Sequence, residues 1–539
     1  MRVEALAIKK YRSIENVVLR FPEKKPVVLF GPNNAGKSNI LSALHRVIGE
    51  RYPTYIEMQE SDYFMRNPVS YPTSEIIVKF SEPLYFDNRG NGQNVVAVTY
   101  GRNGVRHENL LHDGMGNKIY PTNEQRASCQ SFLIDAERNI QSAFNYSSSY
   151  SLLSKFSKKI HTALSTDHKQ ELETIFEQIK GAFEKTDEFQ DFFDAFSASM
   201  SSAVKGFVHS LAVDFSAYDP NNYAKSLRIY AKEGESIRSF EEFGTGEQQV
   251  LLMAFVKAYM EVFNGESYVL IIEEPEAHLH PLAQKWLKEY VVEMCNAGIQ
   301  VVISTHSTEF IDAEYLDGLV RVYKDDNATK AIQLTPEKLC EYCISSGVPA
   351  DRISKDSVVD FYATKIFGDQ LKGMFAETII LVEGATEYFS IPIYLKNAGF
   401  SLAEHGIEII NCRGKDSIPL YWRLFNAYGY RCFAIFDCDR NSDKTKNVFS
   451  GIFDNEWQTE SSVCEVTDEY AYFGKDFETY LRNVVDGYEE LEKEVSETYQ
   501  ITSKPGKAKA VAQHLEIVPE FIEDIIKCLS DTQKTVEDE

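Results

Sequence analysis

Short apolar runs that end in glycine, acidic or small polar residues recur along this chain. Between them, apolar positions return every three or four residues. Val27–Phe30, Tyr268–Ile272, Ile299–Ile303, Thr378–Val382, Ile407–Ile410 and Cys432–Phe436 are such runs, and they predict buried strands alternating with amphipathic helices. Residues 1 to about 110 read as strands with one long helix, which begins near Gly36 and continues through Leu41 and Leu44. From Thr122 to Val208 the spacing turns helical. Within that stretch Tyr146–Ser154 is a Ser/Tyr-rich joint, and Phe176–Phe196 reads as an amphipathic helical hairpin. The hairpin is either a surface subdomain or a dimerisation element. Alternating strands and helices resume from Leu211 to Lys324, so the helical stretch reads as an insertion into one α/β domain. Residues 325–372 read as a mostly helical linker, and 373–539 as a second βαβ array that runs past Asp439 to a polar tail, Asp531–Glu539.

At 539 residues the chain exceeds what one core supports. Its 43% apolar and 25% charged residues are those of a globular protein, and no apolar run reaches the length of a membrane helix. Nine cysteines, with Cys340 and Cys343 as the lone C-x-x-C pair, point to reduced thiols in a cytoplasmic setting. A net charge of −25 argues against a passive coat on nucleic acid, since phosphates are repelled at long range. It leaves room for a metal-dependent nuclease, whose clustered carboxylates are neutralised by cations.

Gly31-Pro32-Asn33-Asn34-Ala35-Gly36-Lys37-Ser38 follows the first of these strands and opens a helix. This G-x-x-x-x-G-K-S pattern places successive backbone N–H groups, those of Gly31, Asn34 and Gly36 among them, around phosphate oxygens. Lys37 adds charge to the terminal phosphates and Ser38 a hydroxyl ligand for Mg²⁺. Tyr268–Ile272 ends in Glu273-Glu274, the first suited to hold Mg²⁺ and the second to orient an attacking water. Ile299–Ile303 leads to His306, where a γ-phosphate contact is expected at the C-terminal end of a parallel strand. Phe243-Gly244-Thr245-Gly246-Glu247 opens another helix with small residues that suit an anion.

These segments resemble the ABC-type ATPases of the DNA-repair and chromosome-structure branch, over residues 1 to 324. The resemblance makes Gly31–Ser38 the Walker A loop, Glu273-Glu274 the Walker B pair and His306 the switch histidine. It makes Thr245 and Gly246 part of a degenerate signature that completes the ATP site of a neighbouring protomer, which implies a homodimer. Glu273 stands where most relatives carry Asp.

In the second array, Glu383-Gly384 ends the Thr378–Val382 strand and Glu387 follows one helical turn on. Cys432–Phe436 delivers Asp437 and Asp439, which strand alternation puts on one side of the chain. Hard oxygen ligands of this kind suit Mg²⁺ or Mn²⁺. Lys415, after the Ile407–Ile410 strand, reads as a solvated lysine or a phosphate contact.

This array resembles the Toprim domain, with Glu383 as its glutamate and Asp437/Asp439 as its D-x-D. An ABC-type ATPase with a helical insertion, followed by a Rossmann-like Toprim domain, resembles the OLD family of nucleases, to which the Gabija nuclease of phage defence belongs. The resemblance implies Glu478 as a further metal ligand and Lys507 as the residue that stabilises charge on the cleaved phosphate, with Lys504 and Lys509 competing for that place. It implies a cytoplasmic, ATP-binding, divalent-metal-dependent DNA endonuclease or nickase, a homodimer or larger assembly, and a co-encoded protein or nucleic-acid partner. The alternative is a non-catalytic, ATP-driven DNA clamp.

Overall fold

The computed structural model describes residues 2–49, 51–88, 91–103, 108–112, 118–119, 121, 126, 129–134, 152–192, 194, 230–233, 236–239, 242–262, 267–277, 279–366 and 368–531. It divides into a larger unit, 1–133 with 267–539, and a smaller one, 134–266.

The chain opens with β1 (Val3–Tyr11) and β2 (Ile14–Arg20), an antiparallel pair whose inward positions alternate. The next strand, β3 (Val27–Phe30), is buried at every position, as its unbroken apolar run predicts. It feeds α1 (Lys37–Ile48), which lays Ile40, Leu41, Leu44 and Val47 on the sheet. Then follow β4 (Ser74–Asn88), β5 (Asn91–Asn103), β6 (Glu108–His112) and β7 (Cys129–Ile134).

The smaller unit, taken by itself, contains α2 (Leu152–Ala163), α3 (Thr166–Phe183), the hairpin β8 (Tyr230–Glu233) and β9 (Ser236–Ser239), and α4 (Thr245–Val262). Of the helical stretch expected at 122–208, residues 122–125, 127–128, 135–151, 193 and 195–208 lie outside the described residues, including most of the joint before Ser154. What is described corrects its start: Cys129–Ile134 is a strand of the large sheet, not a helix.

The larger unit resumes with β10 (Ser267–Glu273), α5 (Pro281–Asn296), β11 (Gln300–Ser304), β12 (Leu319–Asp325) and β13 (Ala328–Gln333). The first sheet runs β6-β5-β4-β1-β2-β13-β12-β3-β11-β10-β7. Its parallel centre, with β3 between β12 and β11, brings Gly31, Glu273 and Ser304 to one edge. The sheet extends through Gln333, so the span read as a helical linker from 325 begins with half of a β-hairpin. Only after it come α6 (Pro336–Ser345) and α7 (Lys355–Ala363).

A second sheet carries β14 (Thr378–Val382), β15 (Ile407–Asn411), β16 (Arg431–Asp437), β17 (Cys464–Val466) and β18 (Tyr470–Phe473), in the order β15-β14-β16-β18-β17. The first four in that order are parallel, and β17 closes the edge antiparallel. The chain leaves β14 through α8 (Ala385–Asn397) to β15 and returns through α9 (Ile418–Ala427) to β16 on the other side. The C-terminal ends of β14 and β16 therefore flank a topological switch point, where open α/β sheets place ligands. Further along come α10 (Ser442–Val448), α11 (Phe477–Val484), α12 (Tyr488–Thr498), α13 (Lys504–His514) and α14 (Glu520–Asp531). Phe473, Phe477, Tyr480 and Phe521 interlock beneath them. The nine cysteines form no disulfide, and among the described residues no helix is long and apolar enough to cross a membrane.

The larger unit is seamed by aromatic contacts between its two sheets. Phe30, last residue of β3, packs edge-on against Phe375 and Tyr428. Arg321 of β12 donates to the Tyr428 carbonyl at 2.8 Å and lies 3.6 Å over the Tyr430 ring. Phe375 and Tyr430 stand just before β14 and β16, the strands that carry the carboxylates of the second sheet.

Candidate nucleotide and metal sites

The first site is built on the loop between β3 and α1. Gly31 has φ 137, and a Cβ there would fall 2.0 Å from the Val322 carbonyl. Gly36 has φ 106, and its Cβ would strike Thr329. The loop is thus shaped against β12 and β13. Thr329 fixes it further by donating to the Ala35 carbonyl at 2.8 Å. Asn34 takes the left-handed conformation at φ 62. Ser38 is exposed at the head of α1. Lys37 is buried, and its Nζ donates to the Gly31 and Pro32 carbonyls at 3.0 Å. Burial pulls its pKa down to about 8 against the upward pull of Glu274 and Glu276.

Glu273 closes β10, and Glu274 leaves it in a left-handed turn at φ 45, its N–H donating to the Ser304 carbonyl at 2.8 Å. The His306 Nε2 stands 3.8 Å from Glu274 Oε1. Burial, then the Lys37 charge, hold the His306 pKa below its usual value against the upward pull of Glu274. The His306 main-chain N–H donates to Glu276 at 2.5 Å, and the second oxygen of Glu276 is buried with no hydrogen-bond partner. Lys37, Glu274 and His306 are therefore brought together. Glu276 and Thr329 are additions. Glu276 was within reach of sequence reasoning, two residues from Glu274. Thr329 was not, since nothing local marks it.

Thr245 and Gly246 belong to the smaller unit. They begin α4, where the Gly244 N–H meets Glu247 at 3.2 Å.

The second site lies at the switch point. Glu383 follows β14, and its Oε2 accepts from the Asp437 N–H at 3.0 Å. Glu387, in the first turn of α8, accepts from the Gly384 N–H at 3.0 Å and is 4% exposed. Asp437 ends β16 and accepts from the Phe477 N–H at 3.0 Å. Glu478, in the first turn of α11, is 3% exposed, and its Oε1 has no hydrogen-bond partner. These carboxylates act on one another. Burial, with the charges of Glu478 and Glu383, pushes Glu387 up to about 7. Burial, with Glu387, Glu383 and Glu478, lifts Asp437 well above the carboxylate range. Glu383 is raised by burial and Asp439, against the pull of the Asp437 N–H and Lys415. Among the described residues no group of three His, Cys, Asp or Glu is spaced ready for an ion.

Three sequence expectations change here. β16 ends at Asp437, so strand alternation does not reach Asp439, which turns left-handed at φ 54. Lys415 is not solvated: it is 3% exposed and pairs with Asp439 at 2.8 Å. The late lysine that reaches the carboxylates is Lys504, 2.9 Å from Glu478 Oε2. Among the described residues Lys507 forms no ion pair. The charges of Glu478 and Asp437 outweigh burial and hold Lys504 above the usual lysine range.

Comparison with known proteins bears on both sites. Models described as "AAA ATPase domain" and "AAA domain" match residues 114–311 and 1–52, and one described as "Overcoming lysogenization defect protein-like, TOPRIM domain" matches 374–439. The "Old nuclease" of Escherichia phage P2 is 30% identical over 223 residues, covering 40% of this chain and 36% of that protein. The "OLD nuclease" of Thermus scotoductus is 24% identical over 465 residues, covering 81% of this chain and 82% of that protein. The "Endonuclease GajA" of Bacillus cereus is 25% identical over 252 residues, covering 42% of this chain and 36% of that protein. The match thus spans about a third of the length of the phage P2 and Bacillus cereus relatives.

Proposed function

We propose, from the premise that this chain joins an AAA-type ATPase domain to an OLD-like TOPRIM domain, that it is an ATP-regulated, divalent-metal-dependent DNA endonuclease or nickase. The observation that carries this reading is the buried carboxylate group at the ends of β14, β16 and β18, with Lys504 at its mouth. Glu387 and Asp437, each pushed up by burial and by the carboxylates beside it, want a cation, and the orphaned Oε1 of Glu478 is a free ligand for one. All the donors are hard oxygens, which fit Mg²⁺ or Mn²⁺.

Glu383, Glu387, Asp437 and Glu478 would hold the metal, with Asp439 at its edge. A divalent ion bound there supplies Lewis acidity and lowers the pKa of bound water. Lys504, with Lys507 almost a turn further along α13, would meet charge on the cleaved phosphate. At the other site Gly31, Asn34, Gly36 and Lys37 would bind the triphosphate, and Ser38 and Glu273 its Mg²⁺. Glu274 would orient water, and His306 would sense the γ-phosphate through a main chain anchored on Glu276. The domain assignment is 1–324 for the ATPase, extended to Gln333 by its hairpin, and 373–539 for the TOPRIM region. Thr245 and Gly246 acting on a partner protomer's nucleotide, a homodimer, a cytoplasmic place, a co-encoded partner and a part in phage defence follow from the family resemblance.

Supercoiled plasmid incubated with wild type, Lys37→Ala and Asp437→Ala, with Mg²⁺ or Mn²⁺ and with or without ATP, tests this. Asp437→Ala should lose cleavage by at least about 100-fold, while Lys37→Ala should change only its dependence on ATP. A wild type that leaves plasmid intact in every condition overturns the reading. In that case DNA binding that survives Asp437→Ala but not Lys37→Ala would favour the clamp.

A further inference from the structure

Lys415 lies at the floor of the carboxylate group rather than at its mouth. Its Nζ donates to the Asp437 main-chain carbonyl at 2.6 Å and to Asp439 Oδ2 at 2.8 Å. Its own N–H meets the Glu383 carboxylate. The backbone sets it there. Arg413 at φ 59 and Gly414 at φ 133 turn the chain after β15, and the Gly414 N–H donates to the Glu383 carbonyl at 2.7 Å. Lys415 thus joins the ends of β14, β15 and β16. A lysine this buried persists only against opposite charge.

The carboxylates divide around it. Asp439 and the Asp437 carbonyl are taken by the ammonium. Glu387, Asp437 and Glu478 are buried near enough for their charges to act on one another, and the Oε1 of Glu478 has no hydrogen-bond partner. An ion placed within about 2–2.6 Å of Asp439 and the Asp437 carbonyl would meet the ammonium head-on, charge against like charge.

We propose that Lys415 is a positioning residue standing in place of one metal ion: it holds Asp439 and the Asp437 carbonyl, and a single divalent ion is taken by the remaining carboxylates, Glu383, Glu387, Asp437 and Glu478. The inference rests on the metal-dependent reading of this site, and it makes the resident charge of the site one lysine and one ion.

The test counts ions instead of turnover. Mn²⁺ is titrated into the full chain without nucleotide, and the loss of the free-ion electron paramagnetic resonance signal gives stoichiometry and affinity. Wild type should take one tight ion per chain, lost in Glu478→Gln. Lys415→Met should take two, and Lys415→Met with Asp439→Asn should return to one. Asp439→Asn alone should keep one ion, its affinity within about twofold of wild type. Two ions or none in wild type, an ion that survives Glu478→Gln, or one ion in folded Lys415→Met overturns the proposal. Where circular dichroism shows Lys415→Met unfolded, Asp439→Asn decides: loss of the ion overturns the proposal, and retention supports it. Plasmid cleavage by wild type is scored separately, so a wrong ion count with cleavage intact removes the role of Lys415 and leaves the nuclease reading standing.

Discussion

The ammonium of Lys37 donates to carbonyls of its own loop, with its pKa pulled to about 8 by burial. Triphosphate binding favours the charged form. Below pH 8 the free protein already carries that charge, and ATP affinity should be nearly flat. Above pH 8 each unit of pH removes the proton from a larger share of the free protein, so the dissociation constant should rise by up to about tenfold per unit. Fluorescent-nucleotide titrations from pH 6.5 to about 9.5 would measure this, and Lys37→Arg should flatten the curve because a guanidinium keeps its proton. A constant affinity across the range would mean that Lys37 does not reach the phosphates.

At the scale of elements, α1 is anchored by charge as well as by its apolar face. Asp62 accepts from Arg46 of α1 and from Arg12 between β1 and β2, each at 3.0 Å, and all but Arg12 are buried. Burial would raise the Asp62 pKa, but the two guanidinium groups hold it below the usual range. Asp62→Ala leaves Arg46 charged without its carboxylate and should cost about 3 kcal/mol, read as a lower guanidinium midpoint at unchanged slope. The same scale shows what the sequence could display. Val27–Phe30, Thr378–Val382 and Cys432–Phe436 were legible because a fully buried parallel strand is apolar almost throughout, and Gly31, Glu383 and Asp437 mark the strand ends. β13, Ala-Thr-Lys-Ala-Ile-Gln, was not, since only Ala328 and Thr329 are buried and its pairing with β12 decides its state. The burial of Lys415 depends on Asp437 and Asp439, which lie a whole βαβ unit away. The choice of Lys504 over Lys507 depends on where α13 starts relative to Glu478. Neither relation has a local signature.

At the scale of the whole larger unit, Arg321 binds the Tyr428 carbonyl and the Tyr430 ring from the first sheet, while Phe30 meets Phe375 and Tyr428. Phe375 also lies 6.5 Å from the His306 ring. Arg321→Ala should cost about 2–3 kcal/mol and loosen the seam. Scanning calorimetry should then show the cooperative transition of this unit split in two, whereas a single transition merely shifted downward would make the seam a passive contact. The arrangement also bears on inheritance and engineering. Phe30 touches the loop that follows it on one side and the seats of β14 and β16 on the other, so the two halves are not interchangeable cassettes. A chimera that grafts residues 373–539 onto a foreign ATPase must carry equivalents of Phe30 and Arg321 with it, and natural recombination between relatives is expected to keep those positions in step with Phe375 and Tyr428.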